Sequence, residues 1–94
     1  MKVLGLNKVD DFSRTYSDSR SPLADWVITV KKANWRSPLD VKERFANVSF
    51  IGDRRVVFNI KGNKYRLDAK ISYKLKTVLI KRISTHSEYD RWVF

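Results

Sequence analysis

The chain has 94 residues with twenty Lys and Arg against ten Asp and Glu, a formal net charge of +10. That length holds one hydrophobic core and no second domain, and the absence of cysteine excludes disulfides, thiolate zinc sites and thiol catalysis. No apolar run approaches the ~20 residues that span a bilayer, and the start, MKVLGLNKVDD, lacks the apolar stretch of a secretory signal; a cytoplasmic protein with no membrane contact is expected.

Taken in chain order, KVLGL predicts an opening strand and residues 7–17 a first helix carrying Val9, Phe12 and Tyr16. SPL then occurs twice, and both copies predict helix starts. In each, Ser21 or Ser37 is placed to cap the first free amides, and Pro22 or Pro38 stands where a missing N–H costs nothing. Asp40, three residues after Ser37, completes a capping-box-like spacing. Leu23, Trp26, Val27 and Val30 form one apolar helix stripe closed by Lys31 and Lys32. Leu39, Val41 and Phe45 mark a shorter helix.

From residue 47 the period changes from helix to strand. NVSFIG predicts a short strand ending at Gly52-Asp53, followed by the β-branched runs RRVVFNI, KYRLDAKISY and TVLIKRIST. With Gly62-Asn63 as a two-residue turn, Ile60 faces Tyr65, Asn59 faces Arg66 and Phe58 faces Leu67. Alternation then sorts the hairpin into two faces. Val56, Phe58, Ile60, Tyr65, Leu67, Ala69 and Ile71 make the core side, while Val57, Asn59, Lys61, Lys64, Arg66, Asp68 and Lys70 make a cationic plate. The expected architecture is α+β, with N-terminal helices packed on one face of a small antiparallel sheet and the other face open. In the last strand both parities begin apolar, so alternation leaves open which side Lys81 and Arg82 take.

The charge follows this division. Residues 1–53 carry nine Lys and Arg against seven Asp and Glu, whereas residues 54–94 carry eleven against three. Such asymmetry favours a polyanionic partner, nucleic acid ahead of membrane, over a merely solvated basic surface. Lys64 and Arg66 stand two residues apart on a strand, an arrangement suited to gripping a phosphate; Asn59, across from Arg66, is placed to orient that guanidinium or to meet a base or ribose. Lys61 and Lys70 extend the plate, and Arg54, Lys81 and Arg82 are further candidates for RNA contact. The lone histidine lies in STHSEYD, just after the last strand. Histidine exchanges protons near neutral pH, and metal-free RNA cleavage needs two proton transfers and neutralisation of the phosphorane. His86 can supply one transfer, Arg66 and Lys64 the electrostatics, and Tyr89 a second proton-handling or base-stacking group. Asp68, Glu88 and Asp90 are too outnumbered by cations to predict a magnesium site, and no cofactor motif is present.

The stretches VKKANWRSP.DV, F.GDRRVVFNIKGNKYRL and THSEYD together resemble the HigB-type toxins of bacterial toxin–antitoxin modules, a branch of the RelE-like fold. The resemblance runs from about residue 26 to residue 91. It implies an mRNA interferase that cuts messages on the ribosome without metal or cofactor. It also implies a HigA-type helix-turn-helix antitoxin as partner, with operator DNA reached only through that antitoxin. Carried over by motif, KYRL places the strand cations at Lys64 and Arg66, THSEYD places the proton-transfer groups at His86 and Tyr89, and Lys61 and Asn59 become RNA contacts. Three positions depart from the family pattern: Ser84 where glycine is common, Arg82 where an apolar residue is usual, and Asp68 where an aliphatic is usual. Asp68 pairing with a neighbouring cation would weaken the plate. Trp92 and Phe94 are expected either to pack back on the domain or to join the antitoxin interface. Two other readings remain: a non-catalytic RNA- or ribosome-binding module, for which the plate suffices, and a gyrase poison like the ParE relatives of the same fold.

Overall fold

The structure, a computed structural model, describes residues 1–52 and 54–92. A short strand β1 (Lys2–Leu4) leads through Gly5 into helix α1 (Leu6–Thr15). A single 3-10 turn (Ser17–Ser19) joins it to helix α2 (Arg20–Lys32), and helix α3 (Pro38–Arg44) follows. The rest is sheet: β2 (Ser49–Phe50), β3 (Arg55–Ile60), β4 (Tyr65–Ser72) and β5 (Thr77–Thr85), ending in one helical turn, α4 (His86–Tyr89). The sheet order is β1-β5-β4-β3-β2. Its four later strands run antiparallel as expected, and β1 adds itself parallel to β5 at one edge, which makes the sheet mixed. Among the described residues no helix is long and apolar enough to cross a membrane.

The hairpin has the register that alternation predicts, with Ile60 opposite Tyr65, Asn59 opposite Arg66 and Phe58 opposite Leu67. The core side is as expected: Val56, Phe58, Ile60, Tyr65, Leu67, Ala69 and Ile71 are all buried, together with Leu23, Trp26 and Val30 of α2. Phe58 is the hub of the aromatic packing, its ring 5.3 Å from that of Trp26 and 5.1 Å from that of Phe45, both edge-on.

The last strand resolves its double parity with a bulge. Ala69 pairs with Ile80 and Asp68 with Arg82, so Lys81 is the extra residue. Val78 and Ile80 therefore face the core before the bulge and Ile83 after it, while Arg82 joins the polar side.

The helix starts differ from expectation in their chemistry. α2 begins at Arg20, because the 3-10 turn already delivers the chain in helical geometry; Ser19, whose Oγ donates to the Tyr16 carbonyl at 2.6 Å, precedes it. Ser21 and Pro22 thus lie inside the first turn, where the missing proline N–H is still harmless. Ser37 and Pro38 do start α3, but Ser37 makes no side-chain cap. Asp40 instead accepts the Arg36 N–H at 2.9 Å, one residue further out.

Gly5 permits the β1–α1 corner. Its φ is +88°, and a Cβ there would stand 2.9 Å from the Ile80 carbonyl oxygen of the neighbouring strand. Gly5→Ala is therefore expected to lower unfolding free energy by about 2–3 kcal/mol, the combined cost of left-handed strain and a backbone clash. Urea denaturation of the two chains checks this.

Candidate active site

The end of the sheet is fastened by a capping box. Thr85 Oγ1 accepts the Glu88 N–H at 3.2 Å, and Glu88 Oε1 accepts the Thr85 N–H at 3.4 Å. This fixes the first turn of α4, and the His86 N–H then donates to the Lys64 carbonyl at 3.0 Å. The histidine is thus tied to the hairpin turn by its own backbone. The Thr85-x-x-Glu88 spacing that signals this cap stands in the sequence and was not among the features read there.

His86 and Lys64 share a cleft of about 580 Å³ with Tyr16, Asp18, Tyr65 and Thr85 along its walls. The His86 side chain is 52% exposed, and its Nδ1 lies 3.4 Å from Asp90 Oδ2, an ion pair whenever the ring is protonated. Asp18, from the 3-10 turn, is the centre of a polar cluster. It accepts hydrogen bonds from Lys64 Nζ and the Tyr65 hydroxyl, and from Lys61 Nζ at 3.2 Å.

These bonds hold the Asp18 carboxyl well below the usual carboxylate range, those from Lys64 and Tyr65 contributing most. The same carboxylate raises the pKa of Lys64, and with burial it raises that of Tyr65. Nothing local in the sequence marks Asp18 as a site residue, since its partners lie more than forty positions away.

The sign of the pH dependence follows. Because the folded-state value lies below the ordinary 3.8, the unfolded chain takes up the proton first as pH falls. The stabilisation is complete above about pH 5 and is lost as pH drops through 3.8 toward the lowered value. Urea midpoints measured from pH 5 to pH 2 are expected to fall less steeply for Asp18→Asn than for the parent.

Alternation predicts Lys61 and Lys64 on the plate with Arg66, and the structure places them elsewhere. The strands end at Ile60 and Tyr65, and Lys61 in the turn has a φ of +53°; past that point the pleat no longer sets direction. Both ammonium groups lean to the helical side and meet Asp18.

Arg66 and Tyr89 form a second group beside the cleft. Arg66 is only 8% exposed. Its guanidinium carbon lies 5.2 Å from the centre of the Tyr89 ring, and Nη1 donates to the carbonyls of Asn63 at 2.7 Å and Tyr65 at 3.3 Å. Asn59 does not orient it. That side chain donates instead to the Asn47 carbonyl at 3.3 Å, because the loop after α3 comes within reach of it.

The middle of the polar face is not an open row of cations. Asp68, with no exposed surface, binds Arg55 through Nε at 3.0 Å and through Nη2, and binds Arg82 Nε at 3.2 Å. Arg82 also lies 3.9 Å from the centre of the Trp92 ring, which packs edge-on against Tyr89. The C-terminal segment thus covers one end of the face, and Trp92 does pack back on the domain; Phe94 lies outside the described residues.

The other candidates are dispersed. Lys81 lines a separate groove with Lys8, Asp11 and Phe12. Lys70, opposite Arg55, is six residues along from Lys64, roughly 20 Å at ~3.3 Å per residue. Arg54 is at that same far end, where its carbonyl accepts the Ile71 N–H at 2.9 Å. Among the described residues no three His, Asp or Glu side chains converge to hold a metal ion.

Comparison with known proteins bears on this arrangement. The sequence model of HigB toxins, described as the RelE-like toxic component of a toxin–antitoxin system, matches residues 19–92. The chain is 26% identical over 93 residues to the mRNA interferase toxin HigB of Escherichia coli K12, covering 96% of this chain and 88% of that one. The mRNA interferase HigB of Shigella flexneri gives the same values. That of Escherichia coli O6:H1 is 24% identical, with 97% and 90% covered.

Proposed function

Because the chain belongs to the HigB family of RelE-like toxins, we propose that it is an mRNA interferase, an endoribonuclease acting in the cleft between the 3-10 turn on one side and the hairpin end with the start of α4 on the other. The observation that supports this reading is that His86 and Lys64 line one cleft, with the His86 N–H bonded to the Lys64 carbonyl.

The reaction is attack of a ribose 2′-oxygen on its own phosphorus, with rupture of the bond to the 5′-oxygen. A cyclic phosphate and a free 5′-hydroxyl result. His86 takes one of the two proton transfers, with Asp90 at Nδ1 leaving Nε2 for the substrate. Lys64 opposes the charge that grows on the phosphorane. Arg66 supports this from the adjoining face. Among the described residues its Nε and Nη2 donate to no protein acceptor and are not sealed as buried orphans, so both remain for a neighbouring phosphate. Tyr89, stacked on Arg66, is the second proton-handling or base-stacking group. Asn59, Lys61, Lys70, Lys81, Arg82 and Arg54 are assigned lesser contacts along the RNA.

A toxin of this family works with an antitoxin. We assign a HigA-type helix-turn-helix protein to that role and the cytoplasm as the place of action, with message on the translating ribosome as substrate and no metal taking part. The test is to map message ends after incubation with the purified chain, with and without translating ribosomes. New ends in the ribosome-bound message are expected. Binding without new ends would favour a non-catalytic RNA module, and intact messages with accumulating DNA double-strand breaks would favour a gyrase poison.

A further inference from the structure

We propose that Asp18 occupies an RNA phosphate seat: the carboxylate holds, in the free protein, the position that a backbone phosphodiester takes between Lys61, Lys64 and the Tyr65 hydroxyl, and the bound strand displaces it. The inference rests on the ribonuclease reading and adds to it a subsite with a resident competitor.

The geometry is that of an anion seat. Three donors from one hairpin end converge on a single carboxylate: Lys61 Nζ at 3.2 Å from Oδ2, Lys64 Nζ on the same oxygen, and the Tyr65 hydroxyl on Oδ1. The hydroxyl is carried by a buried ring, 2% exposed, which fixes one corner. The two lysine side chains are 44% and 55% exposed, so an incoming group reaches both ammonium ends from solvent. Asp18 is one-third exposed and reaches in from a different layer of the fold, the turn between α1 and α2. It can therefore withdraw without disturbing the hairpin. The seat opens on the cleft that holds His86, so a phosphate placed there lies on the path of a strand positioned for cleavage. A carboxylate and a phosphodiester each carry one negative charge and accept charge-assisted bonds from the same donors. Exchange conserves charge at the seat, and the displaced carboxylate returns to water.

Two quantities separate this from a permanent structural cluster. If the lysines pass from Asp18 to phosphate, each contributes to counterion release, and removing one flattens the salt dependence of binding by ~0.7 in the slope of log affinity against log salt. If Asp18 competes for the seat, its neutral isostere binds more tightly.

The experiment uses a fully 2′-deoxy oligonucleotide, which the reaction cannot cleave, titrated by fluorescence anisotropy at several salt concentrations. Asp18→Asn is expected to bind about fivefold more tightly, the scale of two exposed ion pairs, with the parent's slope. Lys64→Gln is expected to flatten the slope by ~0.7. In the parent chain, the carboxyl-carbon NMR signal of Asp18 at neutral pH is expected to shift to a freely hydrated position as the oligonucleotide saturates. An unmoved Asp18 signal overturns the proposal, and does so even where a variant fails to fold. Weaker binding by folded Asp18→Asn, or an unchanged slope for Lys64→Gln, overturns it as well. Message cleavage by the parent chain is scored separately, so loss of the subsite and loss of the ribonuclease reading are distinct results.

Discussion

Replacing His86 by alanine is expected to lower the single-turnover rate of message cleavage by about 10²–10⁴-fold while leaving the fold almost untouched. The asymmetry comes from which atoms do what. The structural bond of this residue runs from its backbone N–H to the Lys64 carbonyl, and alanine keeps it. The imidazole itself is half exposed and meets Asp90 at 3.4 Å, an exposed contact worth at most about 1 kcal/mol. A melting shift no larger than about 4–8 °C is consistent with that figure in a domain of this size. Thermal melts and end-mapped cleavage, measured on the same preparation, check both halves. A variant that melts like the parent and cleaves like it would remove His86 from the chemistry.

The second large effect is on stability, and its site is Asp68. This carboxylate is fully buried and bonded to both Arg55 and Arg82. Asp68→Ala removes the carboxylate that the guanidinium groups of Arg55 and Arg82 share across β4. Removal of one member of a buried ion network costs about 3–5 kcal/mol; here the side chains of Arg55 and Arg82 retain 28% and 39% exposure, which places the expectation near the low end, about 3 kcal/mol. Arg82→Ala should cost less, because Asp68 keeps Arg55. Urea denaturation decides the order, and equal losses for the two variants would contradict the assignment of Asp68 as the shared partner.

Much of the fold was legible because the relevant signals are local and periodic. The register from Phe58 through Leu67 follows from one glycine turn and strict alternation, and so does the list of core residues. What alternation cannot supply is direction once the pleat ends. Parity puts Lys61 and Lys64 on the plate, yet they sit in the turn, where a positive φ at Lys61 releases both from that rule. Alternation leaves the sides of Lys81 and Arg82 open, because the bulge at Lys81 changes the parity between Ile80 and Ile83.

The site was legible only in part. Of the residues that the motifs single out, His86 and Lys64 line the cleft, and Arg66 and Tyr89 pair beside it. Asp18 could not be read from spacing at all, because the turn that carries it meets the hairpin only through tertiary packing. The burial of Arg66 combines a local signal with a tertiary one: the Thr85-x-x-Glu88 cap fixes the turn that carries Tyr89, and Tyr89 then packs over the guanidinium. Asp68 does pair with neighbouring cations, Arg55 and Arg82, and this converts the centre of the plate into structure.

The central claim is therefore one of place: RNA reacts at the hairpin end, beside α4, and not along the breadth of the polar face. Single-turnover cleavage by Lys64→Ala and Lys70→Ala tests it most directly, since the two lysines lie on one strand and its turn, roughly 20 Å apart by strand geometry. A loss of about 10²–10³-fold for Lys64→Ala, with Lys70→Ala within about threefold of the parent as for a lone phosphate contact, is the predicted result. Equal losses for the two, or a Lys70→Ala defect larger than that of Lys64→Ala, would contradict it.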